Sequence, residues 1–456
     1  MRRLTVVIAI CVAVSSQATA APFDQLSSRL KQYDEQNAPS QQAPGRGPER
    51  VGQGVPTDDN GNPFVEDPML NGPVEVDGGF GGFDGCDGGP CDSSCCPPRG
   101  FWGRAEYMMW FVRGANTPAL VTTSPDNTPA GVAGVLPDAT VLFGNQQINN
   151  KFSSGGRFTL GYWFGNNDEY ALEDTFLFVG NSTQGFRGSS SGSPILGRPI
   201  FDEATNGSGN VIGQDALLVG FPNVVVGTVN VTSSRQIFGN EINLRRALYV
   251  DGYRRVDVLA GYRFLSLNEG LQIATDTTSI DPSGTVPVGT TFSVLDSFST
   301  RNSFNGGQLG LSTEYFNGRW SLTVRGKVAL GNVAQRVTIN GSTVSTVPSS
   351  APVTNVGGVL ALPSNIGQYS RNQFGVLPEF AVDLHYQLTP LWRVNAGYTI
   401  MGLTNVVRPG DQIDTRVDGN QLPPPSGTGP FTFPTFAFHN TDLLIQGISL
   451  GLECNF

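Results

Sequence analysis

From about residue 101 onward, apolar and polar side chains alternate with a period of two. In the clearest segment, 320–330, every second residue is apolar or small, and the residues between them include Ser321, Arg325 and Lys327. Three further segments show the same alternation: 256–264, 380–388 and 392–400. Segments of roughly ten residues have the length of a strand that crosses a membrane. The pattern therefore predicts β-strands with one apolar face and one polar face.

Turn-forming dipeptides divide this part of the chain into ten predicted strands. The strands lie near 101–113, 155–165, 168–180, 235–250, 253–267, 302–316, 319–332, 371–388, 391–402 and 442–456. Short connections follow the even-numbered strands: Asn166-Asn167, Asp251-Gly252, Asn317-Gly318 and Thr389-Pro390. Asn, Asp, Gly and Pro at these positions favour tight turns. The connections after the odd-numbered strands are several times longer and rich in Gly, Ser, Thr, Pro and Asn.

Strict alternation of short and long connections is typical of outer-membrane barrels, which turn tightly in the periplasm and loop widely outside. A soluble sandwich also alternates polar and apolar positions, but it does not separate its loops by length. Tyr315, Trp320, Trp392 and Tyr398 lie near segment ends, as a membrane interface belt requires. In lipid every backbone polar group must be paired, so such a sheet has to close. We therefore predict an all-β fold, a closed antiparallel transmembrane β-barrel over residues 100–456, with periplasmic termini and extracellular loops.

The number of strands is about ten, within a range of 10–14. Leu271–Ile273 and Thr291–Val294 could pair as a further hairpin, which would give twelve strands. Arg246 falls on an apolar face, where a charge at the bilayer midplane would cost about 2–4 kcal/mol. We therefore expect Arg246 at the periplasmic rim.

The first hundred residues have a different character. A basic start, an apolar stretch and Ala18-Thr19-Ala20 predict a signal peptide over 1–20 that is cleaved after Ala20. We expect a short amphipathic helix at 21–37 and a disordered, acidic periplasmic tail at 38–99, rich in Pro, Gly, Asp and Cys. Residues 21–99 hold 13 acidic and 5 basic residues of a chain with net charge −10.

An exported chain meets an oxidising compartment, so the cysteines of the tail are disulfide candidates. They are Cys86, Cys91, Cys95 and Cys96. Their spacing matches no standard zinc pattern, and no His lies nearby. Cys454, on the lipid-facing parity of the last strand, is the expected free thiol.

Composition narrows the classes of protein further. Of 456 residues, 14% are charged and 10% aromatic. Abundant aromatics exclude a highly charged disordered chain, and the apolar runs after residue 20 are too short for membrane-spanning helices. A pI near 4.8 argues against a nucleic-acid partner. The mean hydropathy of −0.12 fits strands that average an apolar and a polar face.

The last strand alternates apolar residues and ends on an aromatic residue. Its outward positions include Ile448, Leu450, Leu452 and the terminal Phe456. We interpret this pattern as an assembly signal for the outer-membrane insertion machinery, which would then be a partner alongside membrane lipid. The alternative is a terminal strand that merely ends in Phe.

Three early segments resemble one protein family. They are Phe101–Trp110 (FWGRAEYMMW), Gly156–Trp163 (GRFTLGYW) and Glu173–Phe178 (EDTFLF). These segments resemble the β-barrel porin-7 (BBP7) family of outer-membrane proteins, abundant in planctomycete-like bacteria. The resemblance extends more loosely from about residue 100 to the C-terminus and implies an outer-membrane barrel. It supplies no site motif for catalysis or substrate binding.

Charged side chains recur on the inward faces of the predicted strands. The lumen-lining candidates are Arg104, Glu106, Arg157, Arg245, Arg255, Asp257, Arg263, Glu314, Arg325, Lys327, Asp383, His385, Arg393 and Glu453. They could line a pore that selects solutes, and the basic excess would favour anions. They could equally form a salt-bridge network that fills a narrow barrel, since about eight strands are filled by their own side chains.

No motif for catalysis, metal or cofactor binding stands out. The chain has two His, His385 and His439, and the G-x-S-x-G match at Gly188–Gly192 lies in a Ser/Gly-rich loop. We predict a non-enzymatic outer-membrane barrel without a cofactor. It could be a passive channel for small hydrophilic solutes, or a cell-surface structural or adhesive protein acting through its long loops. The sequence leaves the oligomeric state open.

Overall fold

The computed structural model describes residues 100–164, 169–205, 209–426 and 430–456, and ten long strands dominate them. The strands are β1 Phe101–Val112, β2 Phe152–Phe164, β3 Tyr170–Ser190, β4 Val225–Val250, β5 Arg254–Ser279, β6 Thr291–Asn317, β7 Trp320–Thr346, β8 Gly367–Gln387, β9 Trp392–Val407 and β10 Asn440–Asn455. The predicted signal peptide, helix, tail, four tail cysteines and Asn166-Asn167 turn lie outside the described residues.

The ten strands form a closed antiparallel ring. Each strand pairs with the next along the chain, and β1 also pairs with β10, from Trp102 opposite Asn455 to Val112 opposite Ile445. Near the short turns every strand is paired on both of its edges, which is the condition for a sheet in lipid. The prediction of a closed ten-stranded barrel is therefore confirmed.

Four central strands are much longer than the alternation predicts. β4 and β5 have 26 residues each, and β6 and β7 have 27 each. The segments considered for a separate hairpin, Leu271–Ile273 and Thr291–Val294, are the far ends of β5 and β6. A membrane needs only about ten residues per strand, so these strands extend beyond the lipid. We call the part of the barrel that they form the wall.

The outward faces carry a continuous apolar band. On β7, Trp320, Leu322, Val328 and Leu330 are exposed, whereas most of the later outward positions are polar. Large exposed apolar surfaces of this kind mark contact with lipid. Arg246 lies at the short-turn end of the band, as expected, 3.4 Å from the carboxylate of Glu169.

The long connections fold over the other end of the ring. The connection at 181–234 is only partly a loop, because β3 and β4 take up both of its ends. Its middle part contributes the strands Leu196–Thr205 and Val211–Gly220 to a small sheet with Val121–Thr123, Thr140–Phe143 and Arg416–Val417. We call this group of connections the cap. Within the described ranges, no helix is long and apolar enough to cross a membrane.

Candidate functional site in the barrel interior

The structure places all fourteen predicted lumen-lining residues on the inner face of the ring. Eleven are buried, and Arg245, Glu314 and Arg393 are half-buried. They share the parity of other buried positions on their strands, so the alternation that turns apolar residues toward lipid turns these side chains inward.

Four charges form the centre of this interior. Glu241 and Glu379 lie between Arg263 and Lys327, with 2.7 Å from Arg263 to Glu379 and 2.7 Å from Lys327 to Glu241. Lys327 also lies 2.9 Å from Glu379, and Arg263 contacts Glu241 directly. Gln308 donates a further hydrogen bond of 3.1 Å to Glu241. Desolvated charges persist only when paired in this way, so we call these four side chains the central quartet.

A second set of ion pairs lies beside the quartet. Arg157 donates two hydrogen bonds to Glu106, at 2.5 and 2.8 Å, and lies 3.8 Å from Asp383. Arg325 lies 3.2 Å from the other oxygen of Asp383. Arg104 lies 3.8 Å from Glu106. One chain of opposite charges thus crosses the interior.

The interior opens into a cup at the end that carries the short turns. The cup has a volume of about 530 Å³ and is lined by Arg393, Glu314 and Trp163, among others. Arg393 lies 2.8 Å from Glu314, and the guanidinium of Arg255 lies 4.0 Å from the centre of the Trp163 ring. His385 also lines the cup, and neither of its ring nitrogens has a hydrogen-bond partner among the described residues.

Sequence reasoning missed three carboxylates of this network: Glu173, Glu241 and Glu379. The signal was present, because Glu241 shares the parity of Arg245, and Glu379 that of Asp383. With them, the network holds eight basic and eight acidic side chains, each within 4.0 Å of an opposite charge. The predicted basic excess therefore disappears, and with it the basis for an anion preference.

An apolar layer closes the interior beyond the charges. Nine of the ten strands contribute to it, and each member is at most 3% exposed. Its larger members are Met108, Trp110, Leu177, Ile237, Leu265, Leu267, Phe304, Leu377, Met401, Leu403, Leu443 and Ile445. A water-filled pore through this layer would leave these side chains accessible to water. Packing side chains fill the cross-section of the barrel here, as expected for a narrow barrel.

Buried polar groups anchor the cap above this layer. Arg408 donates two hydrogen bonds to Glu269, at 2.6 and 2.9 Å, and one of 2.8 Å to each carbonyl oxygen of Arg113 and Gly114. Burial lowers the pKa of Arg408, but the charge and hydrogen bonds of Glu269 together raise it above its usual value. Asp296 accepts hydrogen bonds from the backbone amides of residues 359–361. These contacts hold the long connections against the inner face of the extended strands.

A second apolar cluster fills the space between wall and cap. It joins strand residues such as Ile273 and Phe298 with cap residues such as Leu120, Ile200 and Leu362, all at most 4% exposed. The long connections therefore have a core of their own.

Comparisons with known proteins agree with this architecture. The sequence profile of the family described as Putative beta barrel porin-7 (BBP7) matches residues 102–456. The chain therefore belongs to the BBP7 family, as its early strands predict, and is an outer-membrane β-barrel. A search of curated protein sequences finds no significant match.

Several solved structures show a distant likeness. The outer membrane protease OmpT from Escherichia coli is 9% identical, with a TM-score of 0.36, over 79% of this chain and 97% of that one. The toluene transporter TodX from P. putida is 10% identical, with a TM-score of 0.18, over 79% and 91% of the two chains. A Pseudomonas aeruginosa FadL homologue is 9% identical, with a TM-score of 0.21, over 79% and 90%. Similarity this low says nothing about activity or substrate.

Proposed function

We propose that this outer-membrane barrel rests with a closed interior and acts at the cell surface through its cap, as a structural or adhesive protein. The apolar layer carries this proposal, because among the described residues its buried side chains pack across the barrel interior. The wall supports it too. Strands of 26 or 27 residues are more than twice as long as the roughly ten residues that a membrane needs.

The proposed orientation places the short turns in the periplasm and the cap outside the cell. An even number of strands then puts both ends of the ring on the periplasmic side. In this arrangement residues 1–20 are a removed signal peptide, 21–37 a short helix and 38–99 a periplasmic tail, with the tail cysteines bridged. Residues 100–456 form the barrel.

The last strand supports a further proposal, recognition by the assembly machinery. Ile448, Leu450, Leu452 and Phe456 are 42% to 56% exposed on the outer face. They therefore form one outward-facing apolar row, which is the pattern proposed as the signal.

The proposal includes no catalytic step. A general base must lie within hydrogen-bond reach of the proton that it removes. His385 is 1% exposed, and its ring nitrogens have no hydrogen-bond partner among the described residues. His439 lies just before β10, where its backbone amide donates a hydrogen bond of 3.1 Å to Gln412.

Deletion of the cap hairpin tests the surface role. An ideal Cβ on Gly220 would lie 2.3 Å from the Cβ of Ser190, so these two positions are adjacent. Removing residues 191–219 and joining Ser190 to Gly220 deletes the hairpin and leaves the wall intact. We expect the variant to fold, shown by heat-modifiable gel mobility, while cell aggregation and surface attachment fall. Unchanged attachment in cells with equal amounts of barrel would contradict the proposal.

A passive channel for small hydrophilic solutes is the second candidate. The charged cup of about 530 Å³ favours it, because polar walls with both signs of charge suit hydrated solutes. Conduction would require the apolar layer to move aside. Stable single-channel steps in planar bilayers would establish this function.

A further inference from the structure

Two arginines lie side by side on the outer surface of the wall. Arg301 on β6 and Arg336 on β7 are directly opposite in the strand register, and both are exposed. Like charges directly opposite each other destabilise a strand pair. Neither side chain has a hydrogen bond or an ion pair within the part of the chain that the structure describes. The pair therefore presents two unneutralised guanidinium groups to its surroundings.

A depression lies beside these arginines. It has a volume of about 430 Å³, and Ser303, Ala334 and Ser370 are small outward-facing residues that line it. Three neighbouring strands, β6 to β8, form its base. Small side chains next to two large basic ones leave room for a compact anionic group.

The position of this depression relative to the membrane follows from the edge of the apolar band. Phe264, Asn305, Asn332 and Phe374 lie in one row of the register across β5 to β8. Phe374 is 63% exposed, and below the row the outward positions are apolar. Aromatic side chains at the edge of an apolar band mark the interface of a membrane.

The arginines lie just beyond this row. Each is four residues farther along its strand, which is ~13 Å at 3.3 Å per residue. For strands tilted by ~40°, the height above the row is roughly 10 Å. The polar headgroups of a bilayer extend about 5–8 Å beyond each side of its hydrocarbon core. The backbones of the two arginines lie just above this layer, and their long side chains are able to reach down into it.

We propose that Arg301 and Arg336 bind the phosphate of a lipid headgroup in the outer leaflet, from a phosphorylated glycolipid of the lipid A type. Guanidinium groups bind phosphate oxygens with two parallel, charge-assisted hydrogen bonds each. The acyl chains would lie below, against Leu309, Leu330 and Phe374, which are all more than half exposed. The site rests on the proposed orientation, because only then does this end of the band face the outer leaflet.

Lipid binding to the purified full-length barrel tests the proposal. Native mass spectrometry in detergent would compare bisphosphorylated lipid A with its dephosphorylated form. The variant is Arg301→Gln with Arg336→Gln, and the matched control is Arg187→Gln, an exposed arginine on β3. Heat-modifiable mobility verifies that all three proteins are folded.

We expect wild type and R187Q to bind the phosphorylated lipid at least tenfold more tightly than the dephosphorylated one, and the double variant to lose this preference. A preference retained in the double variant would overturn the site. Excess inorganic phosphate that displaced the lipid completely would overturn the lipid assignment, since it would identify a free-phosphate site. Labelling of a Ser283→Cys variant by an impermeant maleimide on intact cells tests the orientation separately.

Discussion

Removing one charge from the central quartet should strongly destabilise the barrel. Glu241 is 4% exposed and neutralises both Arg263 and Lys327. Glu241→Gln keeps the size of the side chain but leaves two cations facing a single carboxylate, Glu379. Breaking a buried pair by removing one partner costs about 3–5 kcal/mol. We expect a loss of this size in the free energy of unfolding.

A second substitution should restore much of this loss. Glu241→Gln with Lys327→Met removes one charge of each sign and leaves Arg263 paired with Glu379 at 2.7 Å. Coupling energies between neighbours of this kind are about 0.5–3 kcal/mol. The double variant should therefore be more stable than Glu241→Gln alone.

The assay is equilibrium unfolding in urea of the barrel refolded into lipid vesicles, followed by Trp fluorescence. The matched control is Glu169→Gln, because Glu169 pairs with Arg246 at 3.4 Å on the exposed rim. Exposed pairs contribute about 0–1 kcal/mol, so the control should resemble wild type. The reasoning is refuted if Glu241→Gln costs no more than Glu169→Gln.

Three further predictions concern the layers above and beside the quartet. Phe304→Ala should cost about 3–5 kcal/mol in the same unfolding assay, because it opens a cavity in the apolar layer; a loss below about 1 kcal/mol would show loose packing. Arg408→Met should leave Glu269 buried without its partner, so limited proteolysis should cut the cap faster while heat-modifiable mobility persists. The control Arg416→Gln removes an exposed pair and should leave the rate of cap proteolysis unchanged. Phe456→Ala should lower the amount of assembled barrel in cells but not refolding in vitro, and equal assembly would argue against the signal.

The half of the barrel that carries the short turns could be predicted from the sequence, because lipid outside and charge inside give opposite polarity to alternate residues. On β5, Asp257 and Arg263 were placed inside by parity alone. Glu241 and Glu379 could have been found by the same rule. The pairing of these charges could not, because it depends on which strands face each other across the ring.

The half of the barrel that carries the cap could not be predicted from alternation. Leu271 and Ile273 have the same inward parity as Arg263, but they are apolar and buried, whereas Gln272 between them is exposed. Beyond the membrane the wall has water outside and a packed core inside, so the polarity of its two faces is reversed. A rule that assigns apolar residues to the lipid side misplaces Leu271, and it also ends the strand too early.

Single-channel recording in planar bilayers tests the central claim, that packed side chains close the barrel, most directly. The full-length wild-type barrel should insert and show no stable conductance steps under an applied voltage. In parallel, the same protein is inserted into lipid vesicles, and its heat-modifiable mobility after recovery verifies insertion independently. Reproducible steps from the inserted wild-type protein would contradict the closed interior and favour the passive channel.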